Sequence, residues 1–279
     1  MPYAQTSRGK FYVEDWGGHG PVVCLLHGLT SQHTDWNEIA PRLVKEDFQV
    51  IAPDMRGHGK SEKPETGYSP EDLAIDTTAL LQTLGMAQVH VVGHSTGGRN
   101  GLVFAQLFPA RTLSLTIIDQ TLTPAPERWK DAQKDFAEYP TPFQNEAILD
   151  EFLKMRYPDR PKMVAFEKGQ FEKKENGTLD WIFSIPGVLE TQKLGRAKEL
   201  SGLLPQVQSP ILFMKGAESN YVSPEEAEKI QKLIPKGRFV TVEKARHAVF
   251  RDNPEVFLQV LLEFLGRKGA KKIHPTQSQ

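Results

Sequence analysis

The stretch VHVVGHSTGGRNGLVFAQLFP, residues 89–109, runs from an apolar segment through a glycine-rich turn into a helical pattern. VHVVG predicts a buried strand, and GLVFAQLFP predicts the helix after it. Between them lies G-x-S-x-G, with Ser95 at its centre. A strand-to-helix turn this sharp strains the backbone of the central residue and exposes its hydroxyl at the carboxyl edge of a sheet. Ser95 is therefore the candidate nucleophile.

The chain on both sides of this turn alternates strand and helix patterns. The other predicted strands are GKFYVEDW, PVVCLL, FQVIAPD, LSLTIID, SPILFMKG and GRFVTVE. One helix has Ser69 as N-cap, Pro70 at its first position and Gly85 as its stop, and another runs from Pro254 to Gly266. This alternation predicts an α/β fold with a mainly parallel sheet and helices on both faces.

The alternation is interrupted in residues 120–201, which read as helical, charged and aromatic, with no strand predicted. We interpret this segment as a helical cap inserted into a core made of residues 1–119 and 202–265. Its aromatic residues either pack within the cap or line an apolar acyl pocket. Residues 266–279 are basic and poor in apolar side chains, which predicts a solvated C-terminal tail.

Composition limits the classes of partner. The 279 residues include 34 basic and 35 acidic side chains, a net charge of −1, so neither a nucleic acid nor a membrane partner is indicated. The single cysteine, Cys24, excludes an intrachain disulfide and lies in an apolar run that predicts a buried, inert thiol. Without a signal-peptide pattern or an apolar run of membrane-spanning length, a cytoplasmic enzyme is expected.

A second loop supports the nucleophile assignment. His27, Gly28 and Leu29 directly follow the strand PVVCLL. In a nucleophile-elbow architecture this loop supplies one backbone N–H of the oxyanion hole, and the residue after the nucleophile supplies the other. The hole is therefore assigned to Leu29 and Thr96. Gly28 lets the loop approach the acyl group, and His27 is expected to organise the loop rather than act as a base.

A third motif, PDMRGHGKS at residues 53–61, matches D-x-R-G-x-G-x-S. Together with the elbow and the His-Gly loop, it resembles the α/β-hydrolase superfamily over residues 9–118 and 205–265. This resemblance implies the α/β-hydrolase fold. Asp54, Arg56 and His58 are interpreted as structural, since an Asp–Arg pair can pin such a loop.

His247 is the candidate base, because it lies between the last predicted strand and the last helix, where this superfamily places its histidine. Arg246 precedes it, whereas the superfamily usually has a small residue there. His94 adjoins Ser95 but is expected to point away from it.

The acid is the open question, because the superfamily usually carries an aspartate in a G-x-x-D turn and here GAES places Ser219 at that position. Serine cannot balance the charge of an imidazolium. Glu218 is adjacent but one residue early in an extended segment, which aims it to the opposite side. Asp119 ends the strand after the elbow helix, and neighbouring parallel strands end at one edge. Asp119 is the predicted acid, with Glu218 as the alternative.

The segment from Gly216 to Ser223 also resembles one branch of the superfamily, the YbfF-type esterases and thioesterases. Members of that branch have a G-x-N-S-x-Y-V-S-like segment, which matches Gly216, Ser219, Tyr221, Val222 and Ser223 here. They carry the acid after strand six, followed by a proline-containing cap sequence, as Asp119 is followed by QTLTPAP.

These features predict a serine hydrolase that cleaves a small-molecule ester or thioester through an acyl-enzyme, without metal or organic cofactor. His27, Gly28, His94 and Tyr221 are the candidates for substrate contacts. A cofactor-free perhydrolase, a C–C bond hydrolase or a small-molecule receptor on the same fold are the alternatives. Acyl length, leaving group and oligomeric state are left open by the sequence.

Overall fold

The computed structural model describes residues 2–125 and 127–266, so almost all of the predicted basic tail lies outside the described residues. Eight strands form one sheet in the order β1-β2-β4-β3-β5-β6-β9-β10, and β7 and β8 form a separate pair. The strands are β1 Tyr3–Thr6, β2 Gly9–Gly17, β3 Val22–Leu26, β4 Gln49–Pro53, β5 Val89–His94, β6 Thr112–Ile118, β7 Phe171–Lys173, β8 Leu179–Trp181, β9 Ile211–Gly216 and β10 Arg238–Val242.

Ten α-helices connect and cover the strands within the described residues. They are α1 Ala40–Val44, α2 Pro70–Thr83, α3 Thr96–Leu107, α4 Glu127–Ala137, α5 Glu146–Arg156, α6 Pro161–Lys168, α7 Ile185–Arg196, α8 Pro224–Leu233, α9 Val249–Asp252 and α10 Pro254–Phe264. Short 3-10 turns span His33–Trp36, Pro109–Arg111 and Ser201–Gln206. In the part of the chain that the structure describes, no helix combines the length and hydropathy needed to cross a membrane.

The predicted α/β architecture is confirmed. All neighbouring strands from β4 to β10 in the sheet order pair in parallel, and only β1 with β2 and β2 with β4 are antiparallel. All seven predicted strands are present. The sequence analysis missed β1, because its four residues bury only one apolar side chain, that of Ala4, and so lack a detectable period.

The sheet is buried on both faces, which explains the continuous apolar runs of its central strands. Along β3, Cys24 and Leu26 belong to one hydrophobic cluster with residues of α2, α3 and α8, while Val23 and Leu25 belong to a second with residues of α1, α9 and α10. Cys24 is fully buried, and burial raises the pKa of its thiol to about 12. The prediction of a buried thiol is confirmed.

The predicted end signals of α2 are also confirmed. The Ser69 hydroxyl accepts the backbone N–H of Asp72, and the Asp72 carboxylate accepts the N–H of Ser69, which forms a capping box. Such a cap is worth about 1 kcal/mol. Gly85 follows the helix at φ +70°, the left-handed conformation that glycine adopts without strain.

Residues 120–201 contain α4 to α7, so the predicted helical content is confirmed, but the expectation that they hold no strand was wrong. The antiparallel pair of β7 and β8 lies between α6 and α7. Each strand has three residues, too few to give an alternating pattern, and Gly177 at φ +86° closes the turn between them. The hairpin contributes to an aromatic cluster that includes Tyr139, Phe143, Phe171, Trp181 and Phe183.

Candidate active site

Ser95 lies in the turn between β5 and α3 with φ +52° and ψ −121°, a conformation that costs a non-glycine residue about 1–3 kcal/mol. The turn is held by a 2.9 Å hydrogen bond from Ser95 N–H to the Ile118 carbonyl. A side chain at Gly93 would overlap the backbone of Gly97, and one at Gly97 would overlap the Leu26 carbonyl. The glycines of G-x-S-x-G therefore permit the strained serine, as the motif predicts.

The Ser95 side chain is more enclosed than the sequence predicts. Ser95 is only 6% exposed, because the loop after β3 and the segment after β6 both approach it. A Cβ atom at Gly28 would lie 3.7 Å from the Cβ of Ser95. The Ser95 hydroxyl donates a 3.4 Å hydrogen bond to Oε1 of Gln120, which is fully buried. The sequence analysis did not identify Gln120, and its position directly after Asp119 is the signal that could have found it.

The two residues predicted for the oxyanion hole lie at the start of α3 and in the loop after β3. Thr96 is the first residue of α3, so its N–H has no acceptor in a preceding helical turn. Leu29 is half-buried and packs against the aromatic cluster of residues 120–201. One ring nitrogen of His58 is hydrogen-bonded to the Leu29 carbonyl and the other lies 2.9 Å from the Arg56 carbonyl. His58 thus fixes the loop, in line with the structural role predicted for it.

Both ring nitrogens of His27 are hydrogen-bonded to backbone groups. Its Nε2 accepts the Met55 N–H at 2.9 Å, which leaves Nδ1–H to donate to the Gly28 carbonyl at 2.7 Å. The ring is fully buried, and burial together with the charge of His58 lowers the pKa of His27 to about 3. His27 therefore organises the loop as a neutral side chain, and neither ring nitrogen is left for the polar substrate contact that the sequence also predicts.

His247 lies in the loop between β10 and α9, with its side chain 27% exposed. Its Nδ1 is 2.8 Å from Oδ2 of Asp119. The loop passes directly over Gly216, where any side chain would overlap the backbone carbonyl of Arg246. The Arg246 N–H donates to Asp252 at 2.8 Å, so this loop is tied to α9 in spite of the arginine that precedes His247.

Asp119 directly follows β6, is fully buried and has φ +47°. Its Oδ1 accepts the Gly216 N–H at 3.1 Å, and its Oδ2 accepts both the Ser219 hydroxyl and His247 Nδ1–H. The predicted contact between Asp119 and His247 is confirmed. Glu218 is exposed, and its backbone N–H bonds the Ala245 carbonyl at 2.9 Å. Ser219, at the usual acid position, thus serves as a donor to the relocated carboxylate.

Two rings flank His247. The ring of Tyr221 is stacked on the His247 imidazole, with centroids 3.5 Å apart and planes inclined by 13°. His94 lies with its ring centroid 4.6 Å away, and its Nε2–H donates to the His247 carbonyl at 3.0 Å. Burial and the charges of His247 and Arg251 hold the pKa of His94 well below its usual range.

These contacts place two predicted substrate residues against the base. His94 is 4% exposed and its Nε2–H supports the His247 backbone, while a substrate contact of this side chain stays a prediction. Tyr221 presents the face of its ring to His247, a contact that the sequence analysis did not foresee.

The loop of residues 53–61 is not held by the Asp54–Arg56 pair that the sequence suggests. Arg56 does not pair with Asp54; its Nε and Nη2 each lie 2.6 Å from a carboxylate oxygen of Asp76 in α2. Asp54 Oδ1 instead accepts the backbone N–H of His33 at 2.7 Å. The same oxygen lies 2.8 Å from Nδ1 of the His33 ring. Although burial alone would raise the pKa of Asp54, these bonds lower it on balance. Among the described residues no group of three or more His, Cys, Asp or Glu side chains is placed to hold a metal ion.

Comparison with known proteins agrees with the α/β fold. A family model described as the alpha/beta hydrolase fold matches residues 21–254. The chain is 31% identical over 251 residues to 2-(acetamidomethylene)succinate hydrolase of Mesorhizobium japonicum, and the match covers 89% of each protein. The crystal structure of E-2-(acetamidomethylene)succinate hydrolase aligns with a TM-score of 0.84 at 28% identity, over 95% of this chain and 98% of that one. A marine microorganism esterase aligns with a TM-score of 0.79 at 27% identity, over 91% and 98% of the respective chains.

Proposed function

We propose a serine-hydrolase function for this chain, which belongs to the α/β-hydrolase fold family and is a hydrolase. In this proposal it cleaves a carboxylic ester or thioester of a small molecule through an acyl-enzyme. The observation that carries the proposal is the 2.8 Å contact between Asp119 and His247, next to a serine in the strained turn between β5 and α3. A nucleophile, a base and an orienting acid are the groups that Ser-His-Asp hydrolases use for this chemistry.

His247 acts as the general base in this mechanism. Because Nδ1–H donates to Asp119, the lone pair of the neutral ring is on Nε2, the nitrogen that must receive the Ser95 proton. The Ser95 hydroxyl donates to Gln120 Oε1 at 3.4 Å, so this hydrogen bond must break before the proton moves to His247. In enzymes without bound substrate, the hydrogen bond between nucleophile and base is often long or poorly aligned.

The reaction balances with these groups alone. Ser95 Oγ forms a bond to the acyl carbon while its proton moves to His247, and the carbonyl oxygen becomes an oxyanion held by the N–H groups of Leu29 and Thr96. Collapse breaks the bond to the leaving alkoxide or thiolate, which takes the proton from His247. Water then attacks the acyl carbon and gives a proton to His247. Collapse breaks the bond between the acyl carbon and Ser95 Oγ, which takes that proton from His247 as the acid leaves.

The side of the site next to Leu29 is apolar. Leu29 packs against the aromatic cluster of the cap, where Phe136, Val164 and Ile185 are only partly buried. A substrate whose carbonyl oxygen binds at the Leu29 N–H would therefore place an adjoining substituent near this wall. This supports an apolar acyl or leaving group. The similarity to an esterase at 27% identity supports the same class of bond.

A second candidate comes from the match over most of both chains to a hydrolase of 2-(acetamidomethylene)succinate. In that case the scissile carbonyl would belong to an acetamido group on a dicarboxylate, and Ser95, His247 and Asp119 would keep the same roles. Membership in the YbfF-type branch stays a prediction, supported by the acid after β6.

The proposal is tested with purified enzyme on three substrate classes. They are nitrophenyl esters of increasing acyl length, the matching acyl-CoA thioesters, and 2-(acetamidomethylene)succinate. Turnover of the first or second class is expected, and turnover of the third alone would favour the second candidate.

The matched variant is Ser95→Ala, for which we expect a loss of kcat on the order of a millionfold with an unchanged melting temperature. A fluorophosphonate should label Ser95 in the wild-type enzyme, as read by peptide mass spectrometry. Ester hydrolysis at a tenth of the wild-type rate in Ser95→Ala would overturn the proposal.

A further inference from the structure

The ring of Tyr221 covers one face of the imidazole that the proposed mechanism protonates. The two centroids are 3.5 Å apart and the planes are nearly parallel, inclined by 13°. Tyr221 is held in this place through its backbone, since its N–H donates to the Ser219 hydroxyl at 3.2 Å. Ser219 in turn donates to Asp119, the partner of His247. One serine thus fixes both the carboxylate and the aromatic ring against the base.

The other groups around His247 leave this ring face to Tyr221. Asp119 contacts the ring at Nδ1, and His94 contacts the backbone carbonyl. Charged groups of the surrounding elements include exposed Arg246, which precedes His247, Asp252, which accepts the Arg246 N–H, and Arg251 of α9, whose charge acts on His94. On the side of the Ser219 turn they are exposed Glu218 and Lys215 of β9, whose Nζ donates to the Gly216 and Ser219 carbonyls at 3.0 and 3.2 Å.

An aromatic face carries partial negative charge, so it attracts a cation more strongly than a neutral ring. His247 is neutral before the reaction and cationic once it has taken the Ser95 proton. Stacking against Tyr221 therefore stabilises the transition state more than the resting enzyme, which is the condition for an effect on kcat. Removal of the ring should therefore disfavour the cationic form of His247, which a pH profile can test.

We propose that Tyr221 is a positioning residue that acts through His247, by holding the imidazole in plane with Asp119 and stabilising its cationic form. The inference rests on the proposed function, because it assigns Tyr221 a role in the same proton transfer. It replaces the substrate contact that the sequence predicts for Tyr221. The two roles differ in the part of the side chain they need, since stacking needs the ring and a polar substrate contact needs the hydroxyl.

Kinetics of Tyr221→Phe and Tyr221→Leu separate these roles. Tyr221→Leu should lower kcat by about 3- to 30-fold. It should also shift the acidic midpoint of the pH dependence of kcat/KM to a pH lower by about 0.4 to 1.5 units. Tyr221→Phe keeps the ring and should restore most of kcat and the wild-type pH midpoint. A raised KM in Tyr221→Phe with the pH profile of both variants unchanged would overturn the inference in favour of a substrate contact.

A titration that needs no turnover distinguishes failure of this inference from failure of the proposed function. The ring proton signals of His247, assigned by their loss in His247→Gln, are followed by NMR against pH in Ser95→Ala and in Ser95→Ala/Tyr221→Leu. The midpoint should be lower in the double variant by the same 0.4 to 1.5 pH units. Equal midpoints in two folded variants would sink the inference even if Ser95→Ala is inactive. Should Tyr221→Leu unfold, Tyr221→Met serves in its place, because it also removes the aromatic face.

Discussion

Replacing Asp119 with asparagine changes only which atoms of the side chain can accept a hydrogen bond. The Gly216 N–H donates to Oδ1 at 3.1 Å, so the amide oxygen of the new side chain should occupy that position. The amide nitrogen then takes the place of Oδ2, facing the Ser219 hydroxyl and His247 Nδ1. An NH₂ group can only donate, so Nδ1 must become an acceptor and the ring proton moves to Nε2.

This tautomer blocks the proposed base, because Nε2 must be free to receive the Ser95 proton. The variant also removes the negative charge that balances the imidazolium. The corresponding change in serine proteases lowers kcat about 10⁴-fold, and we expect a loss of about 10³ to 10⁴ here. This is about 4 to 5.5 kcal/mol of transition-state stabilisation. Stability should change by less than about 1 kcal/mol, since the Ser219 hydroxyl can turn and accept from the new NH₂.

The assay is single-turnover acylation of a nitrophenyl ester in a stopped-flow instrument, with urea unfolding for stability. Glu218→Gln is the matched control: it makes the same chemical change in an exposed turn residue one position from Ser219. Its acylation rate should stay within tenfold of the wild type. Equal losses in both variants, or an Asp119→Asn enzyme that keeps a tenth of its rate, would refute the reasoning.

Two further predictions concern the loop after β3. A Cβ atom at Gly28 would lie 3.0 Å from His94 Nδ1, so Gly28→Ala should displace the loop and lower kcat by about tenfold or more, with a smaller change in KM, measured by steady-state kinetics on the same ester. Burial holds the pKa of His27 at about 3, below the usual 6.5, so the unfolded chain binds a proton that the folded one excludes and stability falls as pH drops below 6.5. The loss should reach about 2 kcal/mol at pH 5 in urea unfolding, with a shallower slope in His27→Gln; equal slopes would contradict it.

Motifs tied to local backbone geometry could be predicted from the sequence. The elbow around Ser95 requires small residues on both sides whatever surrounds it, and the α2 cap at Ser69 is complete within four residues. Asp119 could be predicted for a different reason, because parallel strands must end at a common edge. These inferences need no knowledge of how distant side chains pack.

Contacts between distant segments could not be predicted in this way. Arg56 pairs with Asp76 because α2 packs beside the loop, and the sequence places a nearer carboxylate, Asp54, two residues away. The contact of Gln120 with Ser95 and the stacking of Tyr221 on His247 likewise depend on which rotamers the closed site permits. Pattern and propensity carry no information on such choices.

The position of the acid follows from the pairing of β6 with β9. Ile118 and Met214 are register partners, and the Asp119 N–H continues the ladder to the Met214 carbonyl at 2.8 Å. Side chains from the ends of both strands therefore reach the same point beside His247. Ser219 shows this directly, since its hydroxyl bonds the same Asp119 oxygen that faces Nδ1.

The chemistry requires a carboxylate oxygen at that point and does not require a particular strand to supply it. It also limits the number of carboxylates to one. An aspartate at position 219, next to Asp119, would bring two acidic groups within hydrogen-bond distance, and like charges so close cannot both be ionised. They would share a proton, so a single negative charge would be divided between two carboxyl groups instead of lying wholly beside His247 Nδ1. Ser219, at the position where the superfamily usually has the acid, avoids this repulsion and donates a hydrogen bond to Asp119.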